Sequence, residues 1–566
     1  MITIVPITTF YDNLTRWEIF DGVDGLTVSP EMFPIMFKSM IQKLNSNQYI
    51  YIVDLSLFKS DFIIALNDCG FEFDNNNPKI TDLENGKIKY LIGGENATFY
   101  NATIKWHGKK IEIFDANNYF PDRNKVLKSW GRHDKQRFAR AYYRAFTDLH
   151  NIMGECKYHP MTISACAKQV LNRFQKFRID NAHQIPVDGY ETLENYIRPA
   201  YHGGICALKE SNKEYGAGIV LDINSLYPYI MRYYPMPYNN PVLHQGAPDR
   251  ETIRLTNSGS LYFWVHIRAS FKLKKNHVAC VRASGDSALL YPDGWLESSD
   301  WVDRTTGEIT HKTKKGKLVM CELVLTCTDF SLFLKSYDIE KIEYIDYMTM
   351  GTTKHLFADT IDYLYAIKND SDDGRRAMAK ILMNSISGNM ARRTDYTNYY
   401  IKMTSQGVRY ECKKYMGQTP SYVYIGSAIT SYARQIILNA IISNYDRWIY
   451  SDTDSLHLTG HDIPDGLTVS DALGAYKIEH TFERSIYYKL KMYGMFENNK
   501  YDFRLAGIPR NDTRDMMEKI NADLPQDDFL ISILNIPLSV NIKRGQQFTY
   551  LYETTEVYLN DLEEFK

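Results

Sequence analysis

Three aspartates in two short strings have the residue type and the spacing for metal-assisted chemistry at phosphorus. Asp222 follows one apolar run of the chain, and Asp452 and Asp454 follow another. Because such runs predict buried strands, all three carboxylates are expected at or near strand ends. Carboxylates at the ends of neighbouring strands can hold two divalent cations a few ångströms apart, an arrangement that serves in-line displacement at phosphorus.

Each string taken alone also fits a structural role. An Asp-x-Asp pattern such as Asp452 to Asp454 is common in hairpin turns, and Asp222 could cap a helix over residues 225–231. The metal interpretation therefore needs a further element with complementary chemistry.

That element is a row of polar and cationic side chains in a segment with helical periodicity. In a continuous helix Arg376, Lys380 and Asn384 recur every four residues and share one face, and Lys368 lies two further steps of four before Arg376. Such a row suits a triphosphate. A solvated basic stripe would have the same pattern.

These side chains require a scaffold of alternating strands and helices. Strands at 49–53 and 110–114 and helices at 137–152 and 162–178 predict an α/β domain in the first 190 residues. A strand ending at Asp222 and a strand-turn-strand unit over 447–460 would position the carboxylates. The other predicted elements are strand-rich segments at 240–350 and 394–424 and helical segments at 355–392 and 425–443.

Composition limits the class of protein. A chain of 566 residues predicts several domains, and its net charge of -2 means that any nucleic-acid site must be a local channel. The lysine-rich stretches 272–275 and 312–317 could line such a channel or lie in solvated loops. Eight cysteines without a CxxC pair, no signal-peptide start and no apolar run of roughly 20 residues predict a soluble intracellular protein with free thiols.

Six strings, taken together and in this order, resemble those of the family B DNA polymerases, in particular the protein-primed branch of phages, adenoviruses and linear plasmids. The resemblance spans about residues 195–510. The strings are Tyr201-His202-Gly203-Gly204, Asp222-Ile223-Asn224-Ser225-Leu226-Tyr227-Pro228, Lys380 with Asn384, Ser385 and Gly388, Thr430-Ser431-Tyr432-Ala433-Arg434, Tyr450-Ser451-Asp452-Thr453-Asp454-Ser455, and Lys491-Met492-Tyr493.

The resemblance implies a two-metal mechanism. Asp222 and Asp454, with the backbone carbonyl of Ile223, would bind two Mg²⁺ ions, for which Mn²⁺ could substitute, and Asp452 would support them. One ion lowers the pKa of the attacking hydroxyl and the other neutralises charge on the departing pyrophosphate. Lys380 would bind the triphosphate and protonate the leaving group.

The remaining site residues implied by the resemblance bind the nucleotide and DNA. Tyr227 would exclude a 2′-hydroxyl and so favour dNTPs, and Lys491 and Tyr493 would touch the primer end. The expected nucleotide-binding residues are Ser225, Leu226, Tyr227, Lys368, Arg376 and Asn384. The expected DNA-binding residues are Tyr201, Gly203, Gly204, Thr430, Arg434, Lys491 and Tyr493.

One position departs from the family pattern. Ser387 stands where the family carries a tyrosine beside the nascent base pair. Losing that aromatic wall removes roughly 0.5–1.5 kcal/mol of stacking. We therefore expect weaker nucleotide selection or affinity.

The fold class implied is an α+β multidomain right-hand polymerase, with palm, fingers and thumb, and an N-terminal RNase H-like exonuclease-type domain. The expected domains are 1–190 exonuclease-like, 191–239 the first palm segment, 240–354 an insertion of the terminal-protein-contact type, 355–393 fingers, 394–424 a second insertion of the processivity type, 425–509 the second palm segment, and 510–566 thumb.

The exonuclease-like domain is expected to be degenerate. The family's first ligand pair falls on residues 5–9, which hold no carboxylate, and Lys59 stands at the next ligand position. Asp115 and Asp148 would be remnants, and two of four ligands hold two divalent ions poorly. A shifted alignment would instead recruit aspartates 21, 24, 54 or 61.

The expected function is template-directed DNA synthesis that starts on a terminal-protein hydroxyl and replicates a linear viral or plasmid genome in the cytoplasm of a host cell. The partners would be template and primer DNA, dNTPs and the terminal protein, with no membrane, and the chain would be a monomer. The alternatives are a family B polymerase without protein priming, an inactive nucleic-acid-binding relative and a two-metal nuclease. Intact Asp222, Asp452, Asp454 and Lys380 argue against inactivity, and a nuclease would need neither Lys380 nor Tyr227.

Overall fold

A computed structural model gives the architecture of the chain. It describes residues 1–8, 15–29, 31–44, 49–56, 58–73, 84–92, 99–131, 138–156, 159–238, 240–285, 294–302, 308–313, 315–370, 373–392, 396–404, 407–416, 419–498, 500–505, 539–542 and 546–549. The chain forms two compact units. The first comprises Met1–Tyr196, Met231–Tyr238 and Thr353–Gly426, and the second comprises Ile197–Ile230, Asn239–Thr352 and Ser427–Lys566.

A large mixed sheet forms the centre of the first unit. Its strands, in spatial order, are Gly407–Tyr415, Tyr396–Thr404, Lys87–Ile92, Phe99–Trp106, Lys109–Asp115, Tyr49–Ile52, Ile2–Thr8, Thr15–Phe20 and Gly25–Val28, and Glu72–Phe73 adds to Lys87–Ile92. Tyr49–Ile52 runs parallel to both of its neighbours. Alternating burial along Lys87–Ile92 fits a strand with one face on the core.

Helices pack around this sheet or follow it in sequence. Phe138–Met153 is amphipathic, with Tyr142, Phe146 and Leu149 buried on one face at helical spacing. The helices of the first unit are Phe33–Lys43, Lys59–Asp68, Arg123–Trp130, Phe138–Met153, Ile163–Phe174, Leu193–Ile197, Ala358–Asp370 and Asp373–Met390. The short strand Met236–Pro237 also belongs to this unit.

The second unit contains three antiparallel sheets. The sheet that carries the aspartates has the order Tyr476–Phe482, Gly218–Ile223, Ser455–Thr459, Trp448–Asp452 and Cys206–Leu208. The next consists of Lys213–Tyr215, Arg484–Lys489, Met492–Glu497 and Lys500–Leu505. The third contains Val242–Gln245, Tyr337–Thr353, Leu261–Leu273 and Cys321–Thr326.

Two small hairpins, four α-helices and the 3-10 helix Arg198–Ala200 complete the described elements of the second unit. The hairpins are Trp301–Val302 with Ile309–Thr310 and Ser539–Ile542 with Gln546–Thr549. The helices that lie wholly or mainly in it are Leu226–Tyr233, Arg250–Asn257, Cys327–Ser336 and Val423–Ser443. No helix in the described ranges is both long and apolar enough to cross a bilayer.

Most elements predicted from periodicity are confirmed, with three differences. Arg250–Asn257 and Cys327–Ser336 are helices inside a segment predicted to be strand-rich. The second of these begins where the Thr326 side chain accepts the backbone N–H of Asp329. Lys368 lies on the helix Ala358–Asp370, separate from Asp373–Met390, so the cationic row does not run along one helix. The predicted thumb lies outside the described residues except for its one hairpin.

Candidate active site

Backbone register brings the two aspartate strings together. Strand Gly218–Ile223 pairs with Ser455–Thr459, and Asp222 lies opposite Ser455. The N–H of Ile223 donates to the carbonyl of Asp454 at 2.9 Å. Two segments far apart in sequence therefore place their carboxylates at the same end of one sheet.

The turn that carries Asp452 and Asp454 is tight and strained. The N–H of Asp454 donates to the carbonyl of Asp452 at 2.7 Å, across Thr453. Thr453 has φ +59°, which is costly for a β-branched residue. Ser225 and Lys491, which lie close in sequence to other predicted site residues, also have positive φ, at +53° and +64°. Strain of this kind persists where surrounding contacts determine the backbone, and it is frequent at functional sites.

The negative charges at this end of the sheet act on one another. Burial, the charge of Asp222 and the charges of Asp452 and Glu479 together raise the pKa of Asp454 to about 7. A carboxyl group with this pKa sits where a positive charge would stabilise its ionised form.

Two lysines already supply positive charge to this cluster. Lys477 Nζ lies 3.0 Å from Asp222 Oδ1, and Lys491 Nζ pairs with Asp452 Oδ2. Burial lowers the pKa of Lys477, but the hydrogen bond and charge of Asp222 outweigh it, so that this pKa is raised. The carboxylates of Asp222 and Asp452 are therefore each paired with a lysine.

The donor set fits a hard divalent cation that retains water and substrate ligands. No three His, Cys, Asp or Glu side chains of the described residues converge as a ready-made metal cage. Mg²⁺ does not require one, because it commonly binds through one or two carboxylates together with substrate phosphates. Asp222 and Asp454 meet this requirement, and ligation by the Ile223 carbonyl stays a prediction.

An aromatic cluster supports the turn. The centre of the Tyr450 ring lies 5.6 Å from that of Tyr487 and 5.2 Å from that of Tyr493. His457 Nδ1 and the Tyr487 hydroxyl form a hydrogen bond of 2.7 Å. The Tyr450 hydroxyl accepts the N–H of Lys491 at 3.2 Å. Lys491 and Tyr493 are thus tied to the acidic turn, while their contact with a primer stays a prediction.

The string Tyr201–Gly204 contacts the same turn. The N–H of Thr453 donates to the carbonyl of Ile205 at 2.7 Å. A Cβ added at Gly204 would lie 2.7 Å from Thr453 Oγ1 and Cγ2, far inside normal contact. Glycine is therefore required at 204 for the close approach of this segment to Thr453.

Arg434 holds the backbone of that string from the interior. Its guanidinium is fully buried and pairs with Asp329, and Nη1 donates to the carbonyls of His202 and Gly203 at 2.6 Å each. Thr430, one helical turn earlier, is also buried, and its hydroxyl donates to the Ser427 carbonyl. Both side chains are buried, and a contact of either with DNA stays a prediction.

The Asp222 string continues into a short helix. Leu226 is buried in the core at the start of Leu226–Tyr233. Burial, with the nearby Tyr201 and Asp454, raises the pKa of Tyr227 to about 12 against the opposing charge of Arg434. The Tyr227 phenol therefore stays neutral and close to the acidic turn.

The predicted triphosphate-binding residues lie in the first unit. Arg376, Lys380 and Asn384 are exposed on one face of Asp373–Met390, as predicted, while Met378, Leu382 and other apolar residues of this helix are buried. Arg376 Nε donates to the Lys368 carbonyl at 3.0 Å, which brings the end of one helix to the start of the next. The Ser387 hydroxyl donates to the carbonyl of Asn384 at 2.8 Å.

Comparison with known proteins decides the family. Residues 136–472 match the sequence model described as "DNA polymerase type B, organellar and viral". The chain belongs to this family. The resemblance drawn from the six strings is thereby confirmed.

Curated relatives of this type B chain include phage and fungal proteins. The DNA polymerase of Bacillus phage Nf is 31% identical over 309 residues, covering 53% of this chain and 50% of the relative. That of Bacillus phage phi29 is 30% identical over 315 residues, covering 53% and 49%. A "Probable DNA polymerase" of Neurospora intermedia is 26% identical over 546 residues, covering 85% and 51%. The chain spans about half the length of the curated relatives it matches.

Solved structures establish the fold of this type B chain. Phi29 DNA polymerase complexed with primer-template DNA and incoming nucleotide matches with a TM-score of 0.72 and 22% identity, over 95% of each chain. The primer-template binary complex gives the same TM-score over 97% of this chain and 99% of that one. The expected fold class, a multidomain α+β right-hand polymerase with an exonuclease-type domain, is confirmed.

The N-terminal aspartates of this type B chain are engaged in structural contacts. Asp54 and Asp115 share a partner, because the side-chain amide of Asn117 donates to Asp54 and its backbone N–H donates to Asp115. Asp115 is buried and accepts from the N–H and hydroxyl of Ser56 and the N–H of Asn117, and burial raises its pKa to about 6. Asp148 accepts the Trp130 indole N–H at 2.8 Å. Asp54 pairs with Arg123, and Asp21 accepts N–H groups of its own turn. The side chains of Lys59 and Asp61 lie outside the described residues.

Three residues that contribute charge or support to this site were not identified from the sequence, namely Lys477, Glu479 and Asp329. Lys477 and Glu479 lie two apart on Tyr476–Phe482, the strand that pairs with the Asp222 strand across a β-bulge. Asp329 reaches Arg434 from the unexpected helix Cys327–Ser336. The spacing of Lys477 and Glu479 indicates a shared strand face, but no local signal reveals which strand they face.

Proposed function

We propose that this chain is a DNA-directed DNA polymerase that adds dNMP to the 3′ hydroxyl of a primer paired with a template. The observation that carries this proposal is the convergence of Asp222 and Asp454 at one sheet end, in a member of the type B family. Primer-template DNA and incoming nucleotides occupy the phi29 polymerase of similar fold, which supports the same substrates here.

The proposed mechanism assigns a role to each residue. Asp222 and Asp454 would hold Mg²⁺, whose charge would favour ionisation of the attacking hydroxyl and offset negative charge on the pyrophosphate. Asp452 keeps the turn in place through its pair with Lys491. Tyr227 closes the sugar pocket against a 2′-hydroxyl. Lys380 binds the triphosphate, and Arg376, Lys368 and Asn384 extend this cationic face.

We further propose protein priming and the domain boundaries given above. Residues 240–354 would contact a terminal protein and residues 394–424 would support processivity. The proposed role is replication of a linear viral or plasmid genome by a monomer, and the relatives from Bacillus phages support a site of action inside a host cell. Incubation with candidate terminal protein, origin DNA, Mg²⁺ and one labelled dNTP tests the priming mode. Label that stays on protein after denaturation supports it, and label found on DNA alone contradicts it.

Loss of proofreading is a further element of the same proposal. The pairing of Asp54 with Arg123 and the hydrogen bond of Asp148 to Trp130 support it, because these contacts occupy carboxylates that an active site of this kind would use to bind metal. The test offers single-stranded primer with Mg²⁺ or Mn²⁺ and no dNTPs. Degradation that disappears in Asp115→Ala but persists in Asp222→Ala would overturn this assignment.

Primer extension with labelled dNTPs tests the main function. The wild-type chain should lengthen the primer, and Asp454→Asn should lose at least about 10³-fold of this activity, since a metal ligand and its charge are removed. Asp465→Asn, in an exposed loop, is the matched control and should extend normally. Primer shortening would indicate a nuclease, and an unchanged primer that still binds would indicate an inactive relative.

A further inference from the structure

Lys477 is fixed opposite a proposed metal ligand by the register of the sheet. Strands Tyr476–Phe482 and Gly218–Ile223 are antiparallel, and Lys477 is the ladder partner of Asp222. Directly opposite residues of such a ladder project from the same face. The 3.0 Å contact between Lys477 Nζ and Asp222 Oδ1 therefore follows from the fold.

The surroundings of this ammonium are acidic on more than one side. Besides Asp222, the charges of Glu479 and Asp454 act on Lys477. Glu479 lies two residues along the same strand, and Asp454 lies on the turn that adjoins the Asp222 strand. Lys477 therefore balances negative charge where several carboxylates approach one another.

A divalent cation and the Lys477 ammonium group would bind the same carboxylate oxygens of Asp222. An ammonium binds a carboxylate through N–H donors on a flexible stem, whereas Mg²⁺ and Mn²⁺ bind carboxylate oxygens directly. The Lys477 side chain keeps 40% of its surface exposed and Asp222 keeps 19%, so the lysine has room to move away while the aspartate stays. The two cations are thus alternatives at Asp222.

We propose that Lys477 is a built-in counter-ion of Asp222 that competes with a divalent cation for this carboxylate. The inference rests on the proposed function only in taking Asp222 as a metal ligand. Lys477 stabilises the acidic end of the sheet and thereby weakens binding of the metal. It is a positioning residue that sets how much divalent metal the site requires.

The experiment measures metal binding to the free protein, without DNA or nucleotide. Mn²⁺ is titrated into the full chain, and the free ion is followed by electron paramagnetic resonance. Lys477→Gln removes the charge and should lower the dissociation constant of the Asp222 site about tenfold, the scale on which one neighbouring opposite charge alters a carboxylate equilibrium. Lys477→Met, which keeps the apolar stem, should do the same.

Matched variants separate competition from general electrostatics. Lys477→Arg keeps the charge and should bind Mn²⁺ like the wild type. Lys489→Gln removes an exposed lysine from the following strand and should also leave binding unchanged. Asp222→Asn in the Lys477→Gln background should abolish the gain in affinity, which assigns the measured ion to this site.

Thermal unfolding with and without Mn²⁺ supplies a second readout. Lys477→Gln leaves the carboxylates uncompensated, so its melting temperature should fall without metal and rise more than that of wild type when Mn²⁺ is added. Equal or weaker Mn²⁺ affinity in both neutral variants would overturn the inference. Primer extension by the wild type is measured separately, so that failure of the polymerase assignment and failure of this inference give different results.

Discussion

Asp329 and Arg434 form a two-point ion pair inside the second unit. Arg434 Nε lies 2.9 Å from Asp329 Oδ1 and Nη2 lies 2.6 Å from Oδ2, and the side chains of Arg434 and Asp329 are 0% and 3% exposed. The remaining Nη1 holds the carbonyls of His202 and Gly203. The pair thus links a buried helix to the segment that contacts the acidic turn.

Removing one partner of this pair should be strongly destabilising. Asp329→Ala leaves a buried guanidinium without its counter-ion and should lower the free energy of unfolding by about 3–5 kcal/mol. Urea unfolding monitored by circular dichroism measures it. The double change Asp329→Leu with Arg434→Met should recover much of that stability, since an apolar pair can replace a buried ion pair.

The double variant also separates stability from function. It should still extend primers more slowly than wild type, because no side chain donates to the carbonyls at 202 and 203. Full recovery of both stability and extension would show that Arg434 does not position this segment.

Close packing of Gly204 against Thr453 predicts a large effect from one methyl group. Gly204→Ala would place a Cβ 2.7 Å from Thr453 and displace the turn that carries the carboxylates. Primer-extension rate should fall about tenfold or more, as expected when catalytic groups are misplaced by an ångström. Gly216→Ala is the control, because no atom lies within 4 Å of the added Cβ, and its primer-extension rate should be close to that of the wild type. Equal rates for the two variants would contradict the packing argument.

Burial of Asp115 predicts a pH dependence of stability. Its pKa is about 6 in the fold against 3.8 when unperturbed, so the folded state holds the proton more tightly than the unfolded chain. Protonated Asp115 therefore contributes roughly 3 kcal/mol to the free energy of unfolding below about pH 4. This contribution is lost as the pH rises to about 6.

Comparison with Asp115→Asn isolates this group. The wild type should lose stability relative to the variant between about pH 4 and about pH 6, and the difference should then stay constant, as measured by urea unfolding at each pH. Parallel curves across this range would show that Asp115 is ionised in the fold throughout.

The serine at 387 predicts reduced discrimination between nucleotides. Ser387→Tyr should restore an aromatic surface and lower misincorporation by about two- to tenfold, the equivalent of roughly 0.5–1.5 kcal/mol. Single-turnover insertion of correct and incorrect dNTPs measures it. Ser387→Ala, which removes only the hydroxyl bonded to the Asn384 carbonyl, serves as control. Equal error rates for tyrosine and serine would reject the hypothesis.

Local patterns were sufficient where one element could be interpreted by itself. The hairpin around Asp452, the helix with Lys380 and Asn384 on one exposed face, and the long helix of Thr430 and Arg434 follow from periodicity and turn residues. The helix Cys327–Ser336 was not predicted because it is short and has buried residues on nearly all sides. Its sequence therefore lacks the alternation of apolar and polar faces that indicates an amphipathic helix.

The amino-acid sequence by itself determined the family strings, the strand ends that carry Asp222 and Asp454, and the helical cationic face, because these depend on residues near one another in the chain. Only the tertiary structure decided that Asp222 lies opposite both Ser455 and Lys477, that Arg434 is buried against Asp329, and that the hairpin of 396–415 joins the N-terminal sheet. Strand pairing and burial are set by which distant surfaces pack best together, and a strand's own periodicity does not specify its partner.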